Sequence, residues 1–448
     1  MTEENISAIS TAHGKGGVAI IRISGSSPLL IAEKMFKPSG KTKVADFKPY
    51  QMYPGVIDGG SFTDFGLCVY FKAPNSYTGE DIVEFQCHGG ENIARGILKQ
   101  TFLLGARSAE KGEFTKRAFL NGKLSLASAE GIADMINAES DAEVRAGYQL
   151  YNEALTNKVR LLQNKLTTVL AQIDVTMDYP DEFEEDLYHE TQKVENALKE
   201  IYTQLEGISS GYETGKKIKS GVTVAICGKP NTGKSSLLNR LLGYEKAIVS
   251  NIAGTTRDAV EGTIEIKGRK FNLYDTAGVR ESGDAIESIG IARAENIIKS
   301  ADVALFVVDL SQGISQEDVT VLNMLKGKPI IKIINKIDIT KDDTPTDADV
   351  ETSAVTGEGI QKLKTLLYEK AFGEDSSHEA FLIEERHFTA LKNAEQYLLK
   401  GIKGCNFSPL ELVAVDVKES WDELGKITGE TATEEIISEI FAKFCVGK

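Results

Sequence analysis

The spacing of hydrophobic residues changes along the chain, and each change marks a segment with a different predicted structure. Up to about residue 118, short apolar runs of strand length alternate with helical spacing. Strands are predicted over residues 18–23, 65–71 and 81–85, and a helix over residues 91–104. This alternation predicts a small α/β domain over residues 1–118.

From residue 119 to 215, apolar residues recur at intervals of three and four, which predicts amphipathic helices. The two apolar seams are Leu162, Leu166, Val169, Leu170 and Ile173, and Val194, Leu198, Ile201, Leu205 and Ile208. Each seam needs a partner helix on which to pack. Gly211 and Gly215 are expected to interrupt the helical run, and residues 216–221 are predicted to be a linker.

Helical spacing returns after about residue 376, and Thr431 with Glu434 predicts a capping box for the last helix. The simplest architecture is one helical domain built from residues 119–215 and 376–448. A third domain, residues 216–375, is then inserted between the two helical segments. Two separate helical domains are the alternative.

Residues 228–235, Gly-Lys-Pro-Asn-Thr-Gly-Lys-Ser, fit the phosphate-binding pattern G-x-x-x-x-G-K-[ST]. A β-branched run precedes the pattern and helical spacing follows it, which is the order that a phosphate cradle requires. Lys234 is predicted to contact the β- and γ-phosphates, and Ser235 to place its hydroxyl on Mg²⁺. The flanking strand and helix disfavour the alternative, a glycine-rich turn without a ligand.

Three further motifs follow in the order of a GTPase domain. Thr256, in Gly254-Thr255-Thr256-Arg257-Asp258, can complete the Mg²⁺ coordination. Asp275, in Asp275-Thr276-Ala277-Gly278, can hold the Mg²⁺ shell, and the Gly278 N–H can sense the γ-phosphate. Asp338, in Asn335-Lys336-Ile337-Asp338, can accept two N–H bonds from guanine, which adenine does not offer. Residues 216–375 are therefore predicted to be a P-loop (Ras-like) GTPase domain.

The predicted GTP-binding residues come from these motifs and their neighbours. They are Asn231, Thr232, Gly233, Lys234, Ser235, Ser236, Ser250, Asn251, Ile252, Ala253, Gly254, Thr255, Asp275, Thr276, Ala277, Gly278, Asn335, Lys336, Asp338, Ser353 and Ala354. Val279 stands where a Ras-like enzyme presents a glutamine to orient water, and an apolar side chain cannot do that. The segment 280–287 carries three carboxylates, which either orient the water or belong to a solvated acidic loop. Asn231, with backbone carbonyls near residues 250–255, can cradle a monovalent cation in place of an arginine finger.

Composition narrows the class of protein. The 448 residues exceed the size of one hydrophobic core, and the net charge of -15 disfavours broad attraction to nucleic acid, so any RNA contact is expected to be local or supplied by a partner. The five cysteines are far apart and none forms a C-x-x-C pair, which favours a reducing cytoplasm over a disulfide framework or a zinc site.

No apolar run approaches the ~18 residues of a membrane span, so a soluble protein is expected. The acidic cluster at residues 181–186 is interpreted as a solvated loop, with a metal site as the alternative.

Three other stretches carry a resemblance to a known family. They are residues 16–25 together with 79–84, residues 112–123, and the terminal sequence Phe-Cys-Val-Gly-Lys at 444–448. With the GTPase motifs, they make the chain resemble, from end to end, the MnmE (TrmE) family of bacterial tRNA-modification GTPases.

The resemblance implies that residues 1–118 are similar to folate-dependent aminomethyltransferases, that they dimerise, and that they bind 5,10-methylene- or 5-formyl-tetrahydrofolate as a one-carbon source. The residues that match the folate-binding positions are Arg22, Glu84, Lys123 and Lys448. The terminal Cys445 also falls at that site by position. Whether its thiol acts chemically or is inert stays open at this point.

For the GTPase domain, the resemblance implies Ser235 and Thr256 as Mg²⁺ ligands and Glu287 as the residue that orients the hydrolytic water. The K⁺-binding positions are Asn231, Ser250, Ile252 and Thr255. The catalytic residues expected are Glu287, Lys234 and Cys445.

The family's partners follow from the same resemblance. Two G domains of a homodimer meet across the nucleotides, and a flavoprotein, MnmG, which carries FAD, completes a heterotetramer. Together they install an aminomethyl or carboxymethylaminomethyl group on the wobble uridine of certain tRNAs, with ammonium or glycine as the nitrogen donor. The alternative is a GTP-switched ribosome or RNA assembly factor that has no folate chemistry.

Overall fold

The computed structural model describes residues 4–179, 187–243, 262–276, 295–309, 315–339, 347–373 and 384–448. By their contacts the residues form two units. The first comprises Met1–Ala133, Gln149–Leu205 and Ala390–Lys448, and the second comprises Asp134–Tyr148 and Glu206–Thr389. The domain limits at residues 118, 215 and 375 stay predictions.

The described chain contains two sheets. Their strands are β1 (Asn5–Ile9), β2 (Val18–Gly25), β3 (Phe36–Pro38), β4 (Met52–Asp58), β5 (Thr63–Phe71), β6 (Asp81–His88), β7 (Ala106–Ser108), β8 (Val222–Cys227), β9 (Gly262–Ile266), β10 (Arg269–Asp275), β11 (Val303–Asp309), β12 (Ile330–Asn335) and β13 (Val350–Thr352). The three strands predicted in the N-terminal segment are confirmed as β2, β5 and β6.

The helices surround these sheets or pack on one another. They are α1 (Pro28–Met35), α2 (Glu91–Leu103), α3 (Glu113–Leu120), α4 (Leu126–Asn137), α5 (Asp141–Tyr151), α6 (Ala154–Asp178), α7 (Leu187–Ser209), α8 (Tyr212–Ser220), α9 (Lys234–Gly243), α10 (Gln316–Met324), α11 (Ile360–Phe372), α12 (Glu385–Gly404), α13 (Leu410–Thr428) and α14 (Glu434–Ala442). Residues 295–300 are also helical. None of the helices in the described ranges has the length and apolarity that a membrane crossing requires.

The sheet of the first unit has the strand order β3-β4-β5-β6-β2-β1-β7. Its neighbouring strands are antiparallel, except that β7 runs parallel to β1. Ile21 and Ile23 of β2 share one core with Phe85 of β6 and with residues of α1 and α2. Because side chains alternate along a strand, Arg22 and Glu84 lie on the opposite face of the sheet.

Helices from both flanks of the chain pack together in the first unit, as predicted. The apolar seam of α6 is buried along α13, and the seam of α7 lies next to α12, where Leu198 approaches Gly401. The last helix, α14, shares a hydrophobic cluster with Leu126 and Ala129 of α4. The alternative of two separate helical domains does not apply.

Two local predictions are wrong. Residues 216–220 belong to α8 and are not a linker, and Gly215 lies buried inside that helix. A glycine inside a helix costs only about 1 kcal/mol relative to alanine, and the stacking of Tyr212 on Phe388, with ring centroids 4.1 Å apart, holds α8 in place. Thr433, not Thr431, caps α14, because its side chain accepts a hydrogen bond from the Ile436 N–H.

The sheet of the second unit has the order β13-β12-β11-β8-β10-β9, and only β9 is antiparallel to its neighbour. Its core is formed by alternating residues of β8, β10 and β11 together with α9 and α11. The predicted motifs follow β8, β10 and β12, whose carboxyl ends lie at the same edge of the sheet. Ligands of open parallel sheets bind at that edge.

Candidate functional site

The loop that follows β8 has the backbone geometry of a phosphate cradle. Gly228 and Gly233 have φ angles of +153° and +88°, and a Cβ atom at either position would overlap a neighbour, Val307 for the first and Asn335 for the second. Both positions therefore need glycine. Helix α9 begins at Lys234, so the loop leads directly into a helix N-terminus, which favours an anion.

Two side chains of this loop are placed for phosphate and metal chemistry. The Lys234 ammonium is buried and donates a hydrogen bond to the backbone oxygen of Lys229 at 2.7 Å. The Ser235 hydroxyl donates to Oδ2 of Asp275, 2.7 Å away, and Asp275 is only 2% exposed. A hydroxyl beside a buried carboxylate is a donor set that Mg²⁺ prefers, so the residues fit this ion.

Two of the residues predicted to bind the base contact the same loop. Asn335 donates from Nδ2 to the Thr232 carbonyl oxygen at 3.0 Å, and Lys336 donates from Nζ to the Asn231 carbonyl oxygen at 2.7 Å. Asp338 is exposed and accepts a hydrogen bond of 2.6 Å from the Ser353 hydroxyl. The end of β12 thus contacts the phosphate loop through Asn335 and Lys336, and Asp338 follows in the same segment.

The remaining described residues of the GTP set lie in or beside this site. Thr276 donates to the Ile226 oxygen at 2.9 Å, Ser236 is exposed in the first turn of α9, and the Ala354 N–H donates to Asn335 at 3.3 Å. Other predicted residues lie outside the described ranges. They are Ser250, Asn251, Ile252, Ala253, Gly254, Thr255, Thr256, Ala277, Gly278 and Glu287. Val279, the segment 280–287 and the acidic cluster at 181–186 also lie outside them.

A second set of predicted residues meets on the first sheet. Arg22 of β2 lies directly opposite Glu84 of β6, with Nε 2.7 Å from Oε1. The Arg22 guanidinium lies 5.4 Å from the ring centroid of Tyr77 and 5.6 Å from that of Phe114. The sequence reasoning did not name these two aromatic residues, although Phe114 belongs to the stretch 112–123.

The Arg22–Glu84 pair retains unused hydrogen-bonding groups. Their side chains are 20% and 12% exposed, and the structure gives neither the Nη groups of Arg22 nor Oε2 of Glu84 a partner among the described residues. Donors and an acceptor that lie side by side next to aromatic rings suit a flat ligand that both donates and accepts hydrogen bonds. The pterin ring of a folate is such a ligand, so the residues fit it.

The other folate candidates lie after α3 and on the C-terminal tail, both in the first unit. Lys123 donates from Nζ to the Pro74 oxygen at 3.0 Å, near the loop that carries Tyr77. The C-terminal tail runs past β1, the strand next to β2: Val446 pairs with Lys111, and Gly447 packs so closely on Ile9 that a Cβ would overlap its oxygen. Cys445 is exposed and Lys448 is half-exposed on this tail.

A buried ionic network supports the same region, and the sequence reasoning did not identify it. Arg117 of α3 is 4% exposed and contacts Glu80 at 3.0 Å and Glu113 at 3.1 Å, while Glu80 accepts a hydrogen bond from Ser24 of β2. Burial raises the pKa of Glu113, but the hydrogen bonds from Arg107, the Glu110 N–H and Arg117 outweigh it and lower this pKa to about 2. The network therefore contains a charged carboxylate at neutral pH.

Comparisons with known proteins match both the N-terminal part of the chain and the rest of it. The family described as "GTP-binding protein TrmE N-terminus" matches residues 5–123, and the family described as "MnmE helical domain" matches residues 126–445. The chain is 38% identical to the tRNA modification GTPase MnmE of Clostridioides difficile (strain 630), over 100% of this chain and 99% of that protein. It is 39% identical to the protein of the same name from Natranaerobius thermophilus, over 100% of both chains.

A crystal structure of a variant of Aquifex aeolicus Era bound to GDP.AlF4- is 33% identical over 39% of this chain and 66% of that one, with a TM-score of 0.27. A TM-score of 0.27 is too low to support a shared fold. The full-length relatives and the two family matches show the family of the chain. The chain therefore belongs to the MnmE family of tRNA modification GTPases, which are enzymes that hydrolyse GTP.

Proposed function

We propose that this GTPase adds an aminomethyl or carboxymethylaminomethyl group to C5 of the wobble uridine of certain tRNAs, with MnmG as its flavoprotein partner and a reduced folate as the carbon source. The observation that carries the folate half is the Arg22–Glu84 pair, whose unused donors and acceptor lie beside two aromatic rings. Family membership supports the tRNA half. A cytoplasmic location, where tRNA and GTP are found, belongs to the same proposal.

In the GTPase half, Lys234 neutralises charge on the phosphates, and Ser235 with Thr256 would hold Mg²⁺, which stabilises the β- and γ-phosphate oxygens when bound. Asp338 selects guanine, since its carboxylate can accept two N–H bonds that guanine offers and adenine does not. Glu287 is proposed to orient the attacking water. Of these residues, Thr256 and Glu287 are assigned by resemblance alone.

K⁺ is proposed to supply the positive charge that an arginine finger supplies elsewhere. Its ligands would be Asn231, Ser250, Ile252 and Thr255. Asn231 has a φ of +64° and is exposed at the tip of the phosphate loop, which leaves its side chain available.

Replacing KCl by NaCl at equal ionic strength should lower the GTP hydrolysis rate at least about tenfold, while the affinity for a fluorescent GTP analogue stays within about twofold. Equal hydrolysis rates in the two salts would remove K⁺ from the proposal.

In the folate half, the residues proposed to hold the cofactor are Arg22, Glu84, Lys123 and Lys448, and the bound folate supplies the one-carbon unit. Cys445, exposed on the tail that passes β1, is the thiol proposed to assist that transfer. The buried cysteines are poor candidates, since burial raises the pKa of Cys87 to about 11 and that of Cys227 to about 12.

A homodimer is proposed from the face of the first sheet that carries Arg22 and Glu84. Val56 of β4 and Phe65 of β5 are cross-strand neighbours, 37% and 57% exposed, and Met52 lies on the same side of β4 at 57%. A monomer rarely leaves large neighbouring apolar side chains in water. A second copy of the chain is the occupant proposed, together with MnmG in a heterotetramer.

The experiment that tests this function is a reconstitution with MnmG, tRNA, GTP, KCl and a reduced folate, with mass spectrometry of the wobble uridine. Arg22→Met should lower the modified fraction below about a tenth of wild type, while GTP hydrolysis without tRNA stays near the wild-type rate. Arg95→Met, at an exposed ion pair with Glu91 on α2, is the matched control and should modify normally. Normal modification by R22M, or modification without folate, would contradict the proposal, and a GTP-switched assembly factor would then be favoured.

A further inference from the structure

Lys229 is the second residue of the phosphate loop and is not one of the fixed positions of the phosphate-binding pattern. Its side chain is nevertheless buried, at 7% exposure for the residue. The Nζ atom lies 3.1 Å from Oδ2 of Asp318 on α10, a residue that is 2% exposed. A lysine whose ammonium binds the phosphates directly would not form a buried ion pair with an aspartate instead.

Asp318 is itself held by hydrogen bonds at the start of α10. Its Oδ2 also accepts a hydrogen bond from the Ser315 N–H at 2.9 Å, which is part of the capping box of α10, and one from the Ser315 hydroxyl at 2.8 Å. Burial raises the pKa of Asp318, but these hydrogen bonds and the Lys229 ammonium outweigh it and hold the pKa below its ordinary value. The carboxylate is therefore charged at neutral pH and fixed at the start of a helix.

The backbone of Lys229 meets the catalytic lysine. Its carbonyl oxygen accepts hydrogen bonds from Lys234 Nζ at 2.7 Å and from the Thr232 hydroxyl at 3.1 Å. The residue whose side chain is tied to α10 thus supplies the oxygen that places the ammonium of Lys234. At the far side of the loop, Lys336 performs a similar task, since it holds the Asn231 carbonyl and pairs with the buried Asp309 at 2.8 Å.

We propose that Lys229 and Asp318 form a positioning pair that sets the phosphate loop, and with it Lys234, in its binding conformation before GTP arrives. A loop that is already ordered loses little conformational entropy on binding, so its affinity for the phosphates is higher. Neither residue touches the reacting atoms. The pair therefore determines GTP affinity more than the rate of the bound complex, and it acts independently of folate, K⁺ and tRNA.

The test measures GTP affinity with a fluorescent analogue and steady-state GTP hydrolysis in the full chain. Lys229→Met and Asp318→Asn should each raise both Kd and KM about tenfold or more, which corresponds to about 1.4 kcal/mol, while kcat at saturating GTP stays within about threefold. Lys229→Arg and Asp318→Glu retain the charges and should recover most of the affinity. Lys332→Met is the matched control, because its ion pair with Asp347 is exposed at 40% and 95%; it should leave Kd and KM unchanged.

Wild-type Kd in a folded K229M or D318N protein would overturn the proposal. A K229R protein as weak as K229M would also overturn it, since the effect would then come from packing and not from the charge pair. Circular dichroism establishes which variants fold. If K229M does not fold, the comparison of D318N with D318E tests the proposal. Equal Kd values for the GTP analogue would contradict it, and a lower Kd in D318E than in D318N would support it.

Discussion

Replacing Lys234 by alanine is expected to reduce GTP hydrolysis by about a hundred- to a thousandfold, the usual loss for a preorganised charge at a reacting centre. The ammonium is buried beside the loop that receives the phosphates and is already placed by the Lys229 carbonyl. A side chain in that position stabilises the charge that builds up on the phosphates during transfer. Hydrolysis is measured as phosphate release at saturating GTP and Mg²⁺.

Asn239→Ala provides the control for this variant, because Asn239 is exposed on the same helix, α9. It should hydrolyse GTP at the wild-type rate. A K234A protein that is folded and retains more than about a tenth of the wild-type rate would show that the loop binds phosphate differently from the arrangement described above.

Replacing Arg117 by methionine is expected to lower the free energy of unfolding of the first unit by about 3–5 kcal/mol, a large share of the 5–15 kcal/mol that is typical of a domain. The substitution removes the cation that contacts both Glu80 and the buried Glu113, and it leaves Arg107 as the remaining cation beside Glu113. It also removes the donor to the Glu4 carbonyl oxygen, 3.0 Å away. The single tryptophan, Trp421 on α13, belongs to the same unit and reports its unfolding in urea by fluorescence.

The pH dependence of this effect has a definite sign. Because the folded-state pKa of Glu113 is lowered to about 2, its contribution is present above the ordinary pKa of 4.5 and is lost as pH falls from there towards 2. The difference in the free energy of unfolding between wild type and R117M should therefore become smaller below about pH 4. Arg95→Met, at the exposed pair on α2, should cost less than about 1 kcal/mol at neutral pH. If R117M lost no more unfolding free energy than Arg95→Met, this would contradict the stabilising role of the network of Arg117, Glu80 and Glu113.

Patterns that are local in sequence were sufficient to predict much of the fold. The run before Gly228 and the helical spacing after Lys234 predicted β8 and α9 because strand, loop and helix are contiguous there. The linker at 216–221 was predicted wrongly because the weak helix propensity of glycine was overridden by tertiary packing. The cap of α14 was misplaced because two threonines, two residues apart, both suit the position, and Thr431 donates instead to the Asp422 oxygen at 2.6 Å.

The site depends on contacts that no local pattern contains. Arg22 and Glu84 are 62 residues apart, and only the register of β2 against β6 brings them together. The sequence reasoning reached this pair through the family resemblance. Lys229 and Asp318 were not singled out at all, since neither the fixed positions of the phosphate motif nor the spacing of α10 indicates a partner. The assignments of Thr256 and Glu287 stay predictions because both lie outside the described residues.

The central claim is that one chain combines a GTP site with a site for a reduced folate. It is tested most directly by isothermal titration of the intact wild-type protein with 5-formyl-tetrahydrofolate, in a preparation shown to bind a GTP analogue. We expect saturable binding of about one folate per chain, because each chain carries one Arg22–Glu84 pair. A preparation that binds the GTP analogue but gives no heat with the folate would contradict the account.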